Sequence, residues 1–252
     1  MNTPGSTIFV PGATSGIGLA LALRLQAAGN TVVIGGRRGD LLDKLATDHG
    51  FGTVRVDTAD PASITEATAS VVERYPELNV LIAMAGIMRA EDWTTPGFLA
   101  DAEEVVTTNL LGPIRLIAAL TGHLQTRPDA AIVTVSSGLA HAPLRVTPTY
   151  NATKAAIHQL SETLRLQLEP AGVQVIELVP PAVRTALMPG QETSDFAMPL
   201  DEFTDEVMAL IETDPKAREI LVDRVKFLRY AEVRGDYDQV VATLNAADPH
   251  AS

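Results

Sequence analysis

The sequence predicts an α/β domain, a doubly wound parallel sheet of about seven strands with helices on both faces. Three observations carry this expectation. Short β-branched runs alternate with helical stretches along most of the chain, the signature of repeated βαβ units. The length of 252 residues suits a single domain that buries a large core without disulfide or metal staples. A glycine-rich turn stands between the first strand and the first helix, the Rossmann-type arrangement.

The elements follow in order. Thr7–Val10 is the first strand, and an apolar helix from about Ile17 to Ala28 is stopped by Gly29. Thr31–Ile34 is the second strand, followed by a helix over about 40–48 that Asp40 opens as a cap. The third strand, Thr53–Val56, leads to Asp57. Asp60-Pro61 then places an N-cap acid before a proline at the first helical position of a helix that ends near Tyr75. Val80–Ala83 is the fourth strand. A loop over 86–97 precedes one long helical region, Leu99–Gln125. Ala131–Val135 is the fifth strand, a helix runs from about Thr149 to Glu169, and Val173–Leu178 is the sixth strand, ended by Pro180-Pro181. After a loop over 188–199 come a helix at Leu200–Glu212, a short strand at Glu219–Val222 and a helical stretch at Val225–Leu244. No repeat or linker divides the chain, so residues 1–252 read as one domain, with 186–204 as a segment covering the substrate.

Composition excludes several classes. A net charge of −12 and a pI near 4.8 leave no basic footprint for nucleic acid or anionic lipid, so any phosphate site must be local. There is no cysteine, hence no thiolate nucleophile or thiolate-bound metal, which fits a cytoplasmic protein. The N-terminus lacks the basic region of a signal peptide, and no segment reads as an uncharged membrane span. The five histidines are scattered without metal-ligand spacing, so no metal is expected.

The turn Pro11-Gly12-Ala13-Thr14-Ser15-Gly16-Ile17-Gly18 allows a tight bend and close approach of a pyrophosphate, with the helix N-terminus supplying N–H groups. Thr14 and Ser15 either bond phosphates or cap the helix. The second strand ends at Gly35-Gly36-Arg37-Arg38. No acid stands there to hold a ribose 2′-hydroxyl, and two guanidiniums suit a 2′-phosphate, which favours NADP(H) over NAD(H). Asp40 keeps NAD(H) as the alternative. Tyr150 and Lys154 lie four residues apart, one turn of helix, and form a proton-transfer pair if a carbonyl and a redox cofactor are brought beside them.

Taken together, these features resemble the short-chain dehydrogenase/reductase family, and its DltE-like subgroup in particular. Tyr150-x-x-x-Lys154, the glycine spacing, Val135-Ser136-Ser137-Gly138 and Thr107-Thr108-Asn109-Leu110 are similar to that family's motifs, in the family's order. Ser137 stands thirteen residues before Tyr150. Asn109–Leu116, Ser136–Ala140 and Leu178–Val183 resemble the subgroup's segments. The resemblance is strong over about 7–185. It departs from the family at Pro11, at Ala83-Met84 before Ala85-Gly86, and at Pro180-Pro181. The second departure removes two amides and predicts weaker bracing beside the cofactor.

The resemblance implies an NADPH-dependent reductase of ketones or aldehydes. Tyr150 would be the general acid or base, Lys154 would lower the tyrosine's pKa and bind ribose, Ser137 would donate to the substrate oxygen, and Asn109 would hold a water linked to Lys154. Gly12, Thr14, Ser15, Gly16, Ile17, Gly18, Arg37, Arg38, Asp57, Thr58, Ala85, Gly86, Pro180, Val183 and Thr185 would contact the cofactor, Asp57 at adenine and Thr185 at the carboxamide. Trp93, Leu139, His141, Pro181 and Met188 are expected in the substrate pocket. The family also implies a homodimer or homotetramer through the two long helices, whose Ala152, Ala155, Ala156, Leu160 and Leu164 permit contact. The alternatives are an NAD-dependent alcohol dehydrogenase and a non-catalytic nucleotide-binding regulator.

Overall fold

The computed structural model describes residues 1 and 4–246. β1 (Thr7–Pro11) leads through α1 (Gly16–Ala27), β2 (Thr31–Gly36), α2 (Gly39–His49), β3 (Gly52–Arg55) and α3 (Pro61–Arg74) to β4 (Leu78–Ala83). Next come α4 (Leu99–Val106), a π-helical turn at Thr107–Leu111, α5 (Gly112–Leu124), β5 (Ala131–Val135) and α6 (Pro148–Leu168). β6 (Gln174–Leu178), α7 (Leu200–Thr213), β7 (Glu219–Ile220) and the short α8 (Lys226–Arg229), α9 (Ala231–Arg234) and α10 (Tyr237–Ala246) complete the described chain.

The seven strands form one sheet in the order β3-β2-β1-β4-β5-β6-β7, every pair parallel. This is the expected single α/β domain. Its strands are covered on both faces and are therefore almost continuously apolar. β1 and β5 are buried at every position. One face packs on Leu21, Leu25, Leu42, Phe203 and Val207 from α1, α2 and α7. The other packs on Ile64, Val71, Leu116, Leu120, Leu124 and Leu168 from α3, α5 and α6. The winding reverses between β1 and β4, and sheets of this kind bind ligands beyond the strand ends at that point.

Local signals act as expected at α3, where Asp60 accepts from the Ala62 amide at 2.9 Å and Pro61 starts the helix. At α2 they do not. Arg38 takes the N-cap position, and Asp40 lies inside the first turn with no capping bond. The expected single helix over 99–125 is interrupted by the π-helical turn, and the stretch over 225–244 is divided at Tyr230 and at Gly235, whose φ is +79°. β7 stops at Ile220 rather than Val222. One helical stretch, Leu99–Leu124 of 26 residues, is long and apolar enough to cross a membrane by length and composition, although Asp101, Glu103, Glu104 and Arg115 keep it from being an uncharged span. Here its apolar positions Val105, Leu116, Ile117 and Leu120 are buried in the domain.

Candidate active site

The β1–α1 turn is built against the segment that follows β4. Gly12 has φ +93°, and a Cβ there would lie 2.6 Å from Ala85 Cα. A Cβ on Gly18 would lie 2.8 Å from the Gly12 carbonyl oxygen. These glycines let the two backbones meet and leave a floor that a pyrophosphate can approach. Ser15 caps α1 in an extended conformation without a side-chain bond to the helix, which leaves its hydroxyl available. At the end of β2, Gly36 accommodates Thr14, whose Oγ1 accepts from Arg38 Nη2 at 3.3 Å. Arg37 and Arg38 are exposed at the mouth.

A cleft of about 590 Å³ runs from this turn to Tyr150. Every residue expected to touch the cofactor lies on its walls. Arg37, Arg38, Asp57 and Thr58 stand near β2 and β3, and Pro180, Val183 and Thr185 follow β6. The glycine floor and the basic mouth fit the phosphates of a dinucleotide.

α6 carries the proton-transfer pair. Pro148 sits in its first turn, but its cap residue Thr147 makes no side-chain capping bond. Glu91 takes that role from the loop after β4. Its Oε2 accepts from the Thr149 amide at 3.3 Å and from Thr149 Oγ1 at 2.7 Å, placing negative charge at the positive end of the helix. Tyr150 and Lys154 are both buried, and Lys154 Nζ is 5.4 Å from the phenol ring centroid. Lys154 Nζ donates to the Val135 carbonyl at 2.8 Å. Ser137 is buried in the turn after β5. That turn is held to the β6 end by Ser136 and Gly138 amides donating to Leu178 and Pro180 carbonyls at 3.0 and 2.9 Å. Ser137 Oγ accepts from the Leu139 amide at 3.1 Å and hydrogen-bonds the Tyr150 phenol.

Burial pushes the phenol up to about 12, against the opposing effect of the Ser137 hydrogen bond. Burial pushes Lys154 down to about 8. The lowering of Tyr150 expected from a neighbouring ammonium is therefore absent, and burial sets the direction. Both groups are desolvated, and the ammonium is directed at a carbonyl.

Asn109 lies in the π-helical turn, a helix irregularity that is frequent at functional sites. Its amide grips one residue at both backbone groups. Oδ1 accepts from the Ile87 N–H and Nδ2 donates to the Ile87 carbonyl, each at 2.8 Å. Nδ2 also reaches Thr153 Oγ1 at 3.4 Å. Asn109 Oδ1 and Lys154 Nζ both border Gly86, lying 3.4 and 3.7 Å from where its Cβ would stand. The residue expected to hold a water is seen here as a clamp on the loop after β4.

A second cavity of about 120 Å³ shares Ser137, Tyr150 and Pro181 with the cleft. Leu139, Pro181 and Met188 line it as expected, together with Met88, Leu144, Phe196, Leu228 and Leu244. Two expectations fail. Trp93 is 58% exposed, stacked on Phe98 at 4.5 Å with its N–H donated to Glu91, and lies on neither cavity. His141 turns away to meet His158. Nor are the histidines all scattered, because these two are neighbours in space, although His250 lies outside the described residues. Glu91, Leu228 and Leu244 were missed, since their roles depend on long-range packing that no local motif marks.

A phosphate cradle at the switch point of a doubly wound sheet, leading to a buried Ser-Tyr-Lys set, defines a nicotinamide-dependent oxidoreductase. Residues 6–195 match the short chain dehydrogenase family model, and the chain belongs to the short-chain dehydrogenase/reductase family. Within it the chain is DltE-like. It is 36% identical over 257 residues to the uncharacterized oxidoreductase DltE of Bacillus subtilis, covering 98% of this chain and 100% of that protein. It is also 33% identical to the NADPH-dependent 1-acyldihydroxyacetone phosphate reductase of Schizosaccharomyces pombe, over 68% of this chain and 57% of that one. A short-chain dehydrogenase from Streptomyces avermitilis shares the fold with a TM-score of 0.82 at 24% identity, covering 96% of this chain and 97% of that structure.

Proposed function

We propose that the protein is an NADPH-dependent reductase of uncharged, largely apolar ketones or aldehydes, reversible as an alcohol dehydrogenase. The observation that carries this reading is that Tyr150 and Ser137 border both the nucleotide cleft and a small apolar cavity. The nicotinamide supplies the hydride when bound. Ser137 donates a hydrogen bond to the carbonyl oxygen, where negative charge develops. Tyr150 delivers its phenolic proton to that oxygen, and the neutral phenol is the form that burial favours. Lys154 binds the ribose and restores the proton.

Arg37 and Arg38, with no acid at the end of β2, support the phosphorylated cofactor. The substrate's polarity follows from the walls. Among the described residues, no charged side chain lines the apolar cavity, so a carboxylate or phosphate placed there would be desolvated without a partner. The segment 186–204, which contributes Met188 and Phe196, covers this substrate, and a cytoplasmic setting fits the absence of cysteine.

The test is a screen of apolar and anionic carbonyls with NADPH and NADH side by side. Apolar ketones should turn over with NADPH. Tyr150→Phe should lower kcat at least about a hundredfold with cofactor binding retained. Arg37→Ala should weaken NADPH about tenfold, a 1.4 kcal/mol loss, and leave NADH unchanged. Equal use of NADH would select the alcohol dehydrogenase reading, and no turnover of any carbonyl would leave a nucleotide-binding regulator.

A further inference from the structure

A polar cluster lies apart from both cavities. His141, in the turn after β5, and His158, on α6 one turn beyond Lys154, meet edge to face with ring centroids 4.6 Å apart. Glu177 on β6 and Glu219 on β7 join them. One donor atom from each of the four lies within 4.8 Å of every other.

Two of these residues have unmet bonding capacity. The Glu177 side chain is fully buried in the sheet. Its Oε2 pairs with His158 Nδ1 at 2.8 Å, but its Oε1 has no partner. His141 Nε2 is also buried and unpartnered. Buried polar atoms in folded proteins are nearly always bonded, so two orphans in one cluster point to a group that binds both. Glu219 is already oriented. Arg229 holds it in a fork, Nε to Oε1 at 2.7 Å and Nη2 to Oε2 at 3.1 Å, the kind of outer contact that fixes a ligating carboxylate. That guanidinium also offsets one of the two carboxylate charges.

We propose that His141, His158, Glu177 and Glu219 bind one divalent transition-metal ion, zinc by ligand preference, which clamps the turn carrying Ser137 to α6 and to the β6–β7 edge. Imidazole nitrogen with carboxylate oxygen suits zinc, whereas calcium and magnesium prefer all-oxygen sites. A tetrahedral zinc with bonds of about 2.0–2.2 Å sets its donors roughly 3.4 Å apart, so the widest pair closes by about 1.4 Å. His141 can supply that movement, because it sits on a turn and its Nε2 is held by no hydrogen bond. Binding replaces the His158–Glu177 hydrogen bond with a bond from each residue to the ion, and the shared proton is released to solvent from an imidazolium or moves to the other ring nitrogen of a neutral imidazole.

The site does not depend on the carbonyl reductase reading, and its test needs no turnover. Untagged full-length protein is dialysed against chelator and titrated with zinc and, separately, cobalt. The expected result is one ion per chain by elemental analysis, visible cobalt bands of tetrahedral nitrogen–oxygen ligation that zinc abolishes, and a raised Tm. His141→Phe keeps the ring contact and removes the donor. It should lose at least tenfold in metal affinity with an unchanged circular dichroism spectrum. Glu219→Gln is the second variant should the first fold poorly. Stoichiometry near zero, or equal affinity in both variants, overturns the proposal, and an ordered water bridging the two orphaned atoms would then account for the cluster.

Discussion

Asn109 shows how a single side chain can brace a loop beside the cleft. The departure at Ala83-Met84 removes two amides expected beside the cofactor and predicts a looser site. In the structure, Met84 packs against the hydrophobic core, and both ends of the Asn109 amide hold Ile87. Asn109→Ala leaves two backbone groups without these partners next to Gly86, and should cost about 2–3 kcal/mol of unfolding free energy in denaturant titration. Cofactor affinity should fall with it, because the Gly86 loop borders Lys154. An unchanged midpoint would mean that the clamp does not brace the site.

The helix α6 concentrates the titratable chemistry, and its burial makes stability depend on pH. Lys154 has a folded value near 8 against an ordinary 10.5. Below pH 8 the ammonium is present in both states, and the folded protein carries its full desolvation cost. Between pH 8 and 10.5 the unfolded chain binds more protons, so stability rises with pH. The shift corresponds to roughly 3 kcal/mol. Tyr150 acts in the other direction. Above pH 10 the unfolded phenol ionises while the folded one holds its proton to about 12, so stability falls. Denaturant titrations of the cofactor-free protein should therefore show a maximum near pH 10. Lys154→Met should abolish the rise from pH 8, and a rise that persists in that variant would assign it to another group.

Across the whole molecule, α6, the π-helical turn and the start of α5 leave apolar side chains open to solvent. Leu166 is 77% exposed, Ile114 and Leu111 more than a third, and Ala152 and Ala155 are exposed. Association through these helices is the assembly proposed here, a homodimer or homotetramer. Light scattering coupled to size exclusion should give a mass of at least two chains, and Ala155→Arg should lower it. A monomer at micromolar concentration would refute this.

Short-range chemistry made much of the molecule legible in advance. The alternation of strand and helix, the Asp60-Pro61 start and the position of the glycine turn are set by backbone sterics and local hydrogen bonding, so the parallel sheet and the phosphate turn after its first strand followed from the residue order. Tyr150 and Lys154 were readable because helical spacing alone puts them on one face. What depended on distant packing was not. Glu91 stands at the α6 N-terminus from a loop 58 residues earlier. Trp93 stacks on Phe98 instead of entering the pocket. The phenol's high pKa comes from desolvation by the assembled core, which outweighs the Ser137 hydrogen bond. His141 and His158 reach Glu177 and Glu219 only because β6 and β7 lie side by side in the finished sheet. Sequence order carries the local geometry, and burial and proximity across the fold decide the environment in which each group works.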